Sequence, residues 1–151
     1  MSTAADRALP SEPPRNVAVV ARLWDEVFNA GDLDTLADLV HTSFTNFDRI
    51  VDGPQFLGEL IGAQRAAFPD MHYETLQTLA AGDWVITKMR WTGTFRAGFG
   101  FIGLAGIKPT GRTFDVEHAH AFRLAGGKIT EHWAIRDDLT MHGQLLGRWA
   151  A

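Results

Sequence analysis

The chain changes its hydrophobic period once, at Pro69, and that switch limits the folds open to it. Between Asn16 and Phe68 apolar residues return every three or four positions; beyond Pro69 they alternate. The first pattern belongs to amphipathic helices, the second to half-buried strands. Val17, Val20, Trp24, Val27 and Phe28 make one helical stripe, with Asn16 as candidate N-cap and Gly31 as stop. Asp32 can cap a second short helix carrying Leu33, Leu36 and Val40, and residues 41–47 (HTSFTNF) read as a short strand. Asp52, with Pro54 in the first turn, starts a third helix that aligns Leu57, Leu60, Ile61, Gln64 and Phe68.

Four longer segments follow, 71–80, 84–95, 113–124 and 128–136, all rich in β-branched and aromatic residues. Turn residues fall at 81–83 and 125–127, and a last short helix is expected after Asp138 as N-cap. Helices first and strands afterwards predict an α+β fold, with N-terminal helices packed on a strongly curved, mostly antiparallel sheet. A polar, proline-rich stretch, 1–15, reads as a disordered leader, and 16–151 as a single domain.

Composition removes several functions. The chain has no cysteine, so disulfides, thiolate nucleophiles and Cys-bound zinc are excluded. A net charge of −4 without a basic cluster argues against nucleic acid or an anionic membrane as partner. No apolar run approaches a membrane span and the N-terminus lacks a signal peptide's apolar core, so a cytoplasmic location is expected.

The chemistry-bearing residues fall on two strand segments. In DVEHAHAF, Val116, His118, His120 and Phe122 share one face, while Asp115, Glu117 and Ala119 share the other. In KITEHWAIR, His132, Ala134 and Arg136 face one way and Trp133 and Ile135 the other. Pairing the two strands would gather three imidazoles, which titrate near neutrality and can act as base, acid or oxyanion donor. His-x-His is also a metal-ligand spacing, but the carboxylate expected a few residues later is replaced by Leu124 and Ala125, so no metal or other cofactor is expected. An inward Arg136 beside Asp137 or Asp48 would be a charge-paired donor. Trp133 and Ile135 would give the sheet an apolar outer face, the usual mark of a homodimer. His41, His72 and His142 carry no pattern that assigns them a role. The segment 96–112, RAGFGFIGLAGIKPTGR, is glycine-rich and apolar, and fits either a lid over a hydrophobic ligand or a bulged edge with a long connection.

Several stretches together, LWDEVFNAGDLDTLADLVHTSF, AAFPDMHYE, GDWVITKMRWTGTF, GIKPTGRTF and HAFRLAGGKITEHWAIRDD, resemble the SnoaL-like polyketide cyclases over residues 20–148. The resemblance implies a cone-shaped α+β barrel shared with ketosteroid isomerase and nuclear transport factors, enclosing an apolar cavity in a cofactor-free homodimer. It also implies ring closure of an aromatic polyketide by aldol condensation, with an aspartate as acid–base group and a histidine beside it. Matched position by position, that histidine is His120, whereas the aspartate is replaced by Ala134. Two further family histidines correspond to Phe47 and Phe95. An alanine moves no proton, so the aldol mechanism does not transfer intact.

The resulting expectation is a cofactor-independent cyclase or isomerase of a natural-product (antibiotic) pathway acting on a small hydrophobic substrate. His120 and His132 would supply hydrogen bonds or a proton, oriented by Arg136 or Asp137. Trp24, Asn46, Phe47, Trp91, Phe95, His118, Phe122 and Ala134 would line the substrate site. Two other readings stand beside it: an epoxide hydrolase or hydroxylase built on an inward Asp48 or Asp137, and a non-catalytic ligand-binding or dimerisation module.

Overall fold

Proline's fixed φ and missing N–H are harmless in a first helical turn, and Pro13 and Pro14 open the first helix. The computed structural model describes residues 13–151. Helix α1 spans Pro13–Arg22, so Asn16 is a buried residue within it and not its N-cap. Pro13–Arg15 are therefore helical, while the rest of the expected leader lies outside the described residues. Nor does the α-form run on to Gly31: Leu23–Asn29 widen into a π-helix, closed where the Ala30 N–H donates to the Asp25 carbonyl at 3.0 Å. Such wide turns occur frequently at functional sites; this one carries Trp24 and Phe28, whose rings lie 4.6 Å apart.

A single 3-10 turn (Leu33–Thr35) leads into α2, Leu36–Leu39. Val40, expected on that helix, begins strand β1, Val40–Asn46. Strand β2, Arg49–Asp52, was not legible in the sequence. Helix α3, Gly53–Ala67, starts as expected at Asp52, whose carboxylate accepts the Gln55 N–H at 3.0 Å. Then come β3 (His72–Ala81), β4 (Trp84–Thr94), β5 (Thr113–Ala125) and β6 (Lys128–Arg136). Helix α4 is Asp138–Leu145. Its N-cap is Asp137, one residue ahead of the expected Asp138, because the Asp137 carboxylate accepts the Thr140 N–H at 3.0 Å.

The strands form one six-stranded sheet in the order β2-β1-β6-β5-β4-β3. All neighbours are antiparallel except β1 and β6, which run parallel and bring Asn46 beside His132. Alternation then sorts the two faces. Inward on β4 and β5 go Val85, Thr87, Met89, Trp91, Val116, His118, His120 and Phe122, all buried. These pack on Val20, Trp24, Val27 and Phe28 from the first helical segments and on Leu57 and Ile61 from α3. The outward face instead carries Trp84, Ile86, Trp133 and Ile135.

Candidate active site

Antiparallel register fixes which side chains meet on the inner face. His118 stands opposite Arg136, His120 opposite Ala134, and Phe122 opposite His132. All of these except Ala134 line a cavity of about 80 Å³, whose wall also includes Trp24, Phe28, Leu57, Leu60 and Gln64. Of the three imidazoles sequence alternation placed on one face, two bond directly, with His120 Nδ1 3.0 Å from His132 Nε2, and the His118 ring lies beside that of His120, centroids 5.7 Å apart. Behind them His132 Nδ1 lies 2.9 Å from the Asn46 amide oxygen, Oδ1. Trp24 closes edge-on against His120, ring centroids 4.9 Å apart, and its own N–H donates to the Thr87 hydroxyl at 3.2 Å.

Several buried polar atoms have no hydrogen-bond partner among the described residues. They are His120 Nε2, both nitrogens of His118, the Trp91 indole N–H and the Gln64 amide oxygen. All four residues line the same cavity. A buried polar group without a partner carries a desolvation cost of about 1–3 kcal/mol. Five such atoms around one cavity leave it with hydrogen-bonding capacity of both kinds that the described side chains do not meet.

Burial decides the charge of the imidazoles. Desolvation, helped by the neighbouring His132, His118 and Arg136, holds His120 well below the ordinary histidine range. His132 is lowered to about 4 by desolvation and then by Arg136, and His118 to about 4, again chiefly by desolvation. All three are neutral at neutral pH, so each ring offers one N–H and one lone pair. Burial also raises the Tyr73 phenol, which remains a neutral O–H.

Of the other residues expected at the site, Trp91, Phe47 and Arg136 also line the cavity. Arg136 lies over the Phe47 ring at 5.7 Å and pairs with Asp138 (3.2 Å), not with Asp137 or Asp48. Asp137 is an exposed helix cap and Asp48 is an exposed turn residue, so neither carboxylate is brought to the cavity. Phe95 is fully buried but packs on Phe68, ring centroids 5.7 Å apart, outside the cavity lining. Ala134 shares the inner face with His120 and is half-buried, yet it too is not among the lining residues. Sequence reasoning missed Tyr73, Phe28, Phe44, Gln64 and Ile102 as lining residues. Gln64 did carry a signal, being the one polar residue on the buried stripe of α3.

Among the described residues no three histidine, aspartate or glutamate side chains are gathered to hold a metal ion, and no helix is long and apolar enough to cross a membrane. The model of the SnoaL-like polyketide cyclases matches residues 18–145. The chain belongs to that family. Among its relatives is DnrD of Streptomyces peucetius, an aklanonic acid methyl ester cyclase, 28% identical over 136 residues, covering 86% of this chain and 90% of DnrD. The structure of IdmH from Streptomyces antibioticus, a candidate polyketide cyclase, is 31% identical and covers 87% of this chain and 98% of its own, with a TM-score of 0.70. A candidate SnoaL-like cyclase from Jannaschia sp. CCS1 superposes with a TM-score of 0.78 at 25% identity, covering 93% and 96%. Family membership and the likeness to DnrD suggest a cyclase-type enzyme.

Proposed function

We propose that the chain is a cofactor-independent cyclase or isomerase for a hydrophobic polyketide-type intermediate, with His120 as its acid–base group. One observation carries the reading: His120 Nε2 is buried, unpartnered and on the wall of an aromatic cavity. A neutral imidazole there can remove a proton from a carbon beside a substrate carbonyl. The Trp91 indole N–H, likewise unpartnered, can donate to the oxygen that becomes negative, worth about 2–4 kcal/mol for a well-aimed donor. The enolate carbon then attacks a second carbonyl, closing the ring, and the imidazolium returns the proton to the new alkoxide. Holding the two ends together contributes further, up to about 7–11 kcal/mol for ideal alignment.

The position matched to the family aspartate is Ala134, so in this reading the histidines do the work of that carboxylate. An epoxide-opening or hydroxylating mechanism built on Asp48 or Asp137 has less support: both carboxylates are exposed, and Asp137 lines only an open cleft beside His118 and Arg136, outside the cavity.

A cavity of about 80 Å³ is small beside the roughly 300–1,000 Å³ of ordinary ligand pockets. Admitting a polyketide therefore requires wall segments to move. Phe47 (φ 46°) and Ile102 (φ 49°) both line it and both sit in left-handed backbone, which is costly for bulky residues and recurs at ligand clamps. The test is direct: purified chain with a linear aromatic polyketide ketone should form ring product faster than buffer, and His120→Gln should lower that rate by about 10²-fold or more. Equal rates with and without protein would leave the non-catalytic module as the better reading.

A further inference from the structure

The lone pair of His120 lies on Nε2, facing the cavity, only if the proton of that ring sits on Nδ1, and nothing in His120 itself decides this. The decision comes from two residues away in the hydrogen-bond chain. An amide oxygen has lone pairs and no proton, so the contact of Asn46 Oδ1 with His132 Nδ1 at 2.9 Å requires the proton to be on His132 Nδ1. A neutral imidazole has a single N–H, which leaves His132 Nε2 bare. That bare nitrogen lies 3.0 Å from His120 Nδ1 and accepts from it, so the His120 proton is on Nδ1. Its Nε2 is then the unpartnered lone pair at the cavity. Had the amide nitrogen faced His132, each proton in the chain would reverse, and His120 would present an N–H in place of a base.

We propose that Asn46 is a positioning residue whose amide oxygen fixes the tautomers of His132 and His120, so that His120 offers a bare Nε2 to the cavity. The proposal rests on His120 acting as base, and it assigns the control of that base to a residue that need not touch the substrate. The local fold is built to hold Asn46 in place. A register irregularity in the β1–β6 pairing between Val40 and Thr45 precedes it, and bulges of this kind re-aim side chains beside active sites. Asn46 then stands level with His132 in the parallel pair. The next residue locks the arrangement: the Phe47 N–H donates to the His132 carbonyl at 3.1 Å, and the Phe47 ring meets the His132 ring edge-on at 5.7 Å. Positive φ at Phe47 and Asp48 turns the chain back immediately, so the strand ends on Asn46. Desolvation foremost, with the neighbouring imidazoles acting on His120 and the Arg136 charge acting on both rings, disfavours imidazolium and so helps keep each ring with one proton.

Long-range proton–nitrogen NMR of the full chain labelled with ¹⁵N-histidine tests this without any substrate. At neutral pH both His120 and His132 should show a protonated Nδ1 and a bare Nε2. Asn46→Asp keeps an acceptor and should keep that pattern; Asn46→Leu removes it and should bring Nε2–H signals onto both rings. A His120 Nε2–H signal in the unmodified chain overturns the proposal, and so does an unchanged pattern in a folded Asn46→Leu chain. Turnover forms the second arm. Asn46→Leu should reduce kcat by about tenfold or more with a smaller change in KM, as for a group orienting a general base, and Asn46→Asp should restore most of it. The expected tautomers in a chain without cyclising activity would sink the cyclase reading and leave the tautomer lock standing, so the two failures are distinct.

Discussion

His118 is only 3% exposed and neither of its nitrogens has a partner among the described residues, so protonating it works against the folded state. The same holds, less starkly, for His120 and His132, which at least have each other. An unfolded histidine takes up a proton near pH 6.5, whereas His118 and His132 in the folded chain resist it down to about 4. Because the folded pKa values are lowered, the unfolded chain binds more protons throughout that window. Stability is complete above about pH 6.5 and is lost as pH falls towards 4. Each such histidine should cost about 2–3 kcal/mol between pH 7 and pH 4.5. His118→Phe removes one of them, so urea denaturation should show a pH-dependent loss smaller by about that amount. An identical pH slope in both chains would mean that His118 is already hydrated in the folded state. At this scale the shared face was legible, because strand alternation together with an assumed pairing of the two strands put His118, His120 and His132 on one side of the sheet. Asn46 was expected only as a substrate contact, since its place in the relay depends on a parallel pairing between residues 86 positions apart.

Elements were legible where a long period repeats and illegible where hydrogen bonds depart from the standard ladder. Strands β3 to β6 and helix α3 begin and end within a residue or two of their expected bounds. The π-helical segment was not foreseeable, since Val20, Trp24, Val27 and Phe28 fit a uniform α-helical stripe equally well. Strand β2 was missed because its turn uses Phe47-Asp48 in left-handed backbone, where an Asn-Gly or Asp-Gly pair would have announced a tight hairpin. The segment 96–112, expected as a lid or as a bulged edge with a long connection, contains no strand, and its Phe99 and Leu104 are buried in the core. His142 on α4, which the sequence left without a role, bonds through Nε2 to the Ile102 carbonyl at 2.8 Å and pins the strained Ile102-Gly103 turn, both residues at positive φ. Removing that anchor by His142→Ala should release the turn, with faster amide hydrogen exchange at 100–106 and a global stability loss of only about 1 kcal/mol. Unchanged exchange there would show that Phe99 and Leu104 alone hold the segment, and the cavity wall would then not open at Ile102.

At the scale of the whole fold, the described residues cover the sheet on one face and leave the other bare. Leu79, Ile86, Ala121 and Trp133 line up across β3, β4, β5 and β6 in register, with Ile135 beside them opposite Ala119. Leu79 is 57% exposed, Ile86 37%, Trp133 38% and Ile135 70%. Ion pairs flank this row, Arg123 with Asp83 on one side and Lys88 with Glu117 on the other. An apolar centre within a charged rim is the anatomy of a protein interface, and a twofold axis through the row would set it against its own copy. The expected homodimer is therefore proposed to form through this face, leaving each cavity on the opposite side of its own sheet. Since Trp133 and Ile135 are exposed in the single chain, replacing both with glutamate should barely change the folding of a monomer, by about 0.5 kcal/mol each. In a dimer the same change would bury four like charges. Sedimentation should give twice the chain mass for the unmodified protein and a folded monomer for the double variant, and the thermal midpoint of the unmodified protein should rise with concentration. A monomeric unmodified chain at tens of micromolar would reject this interface and leave the apolar row to some other partner.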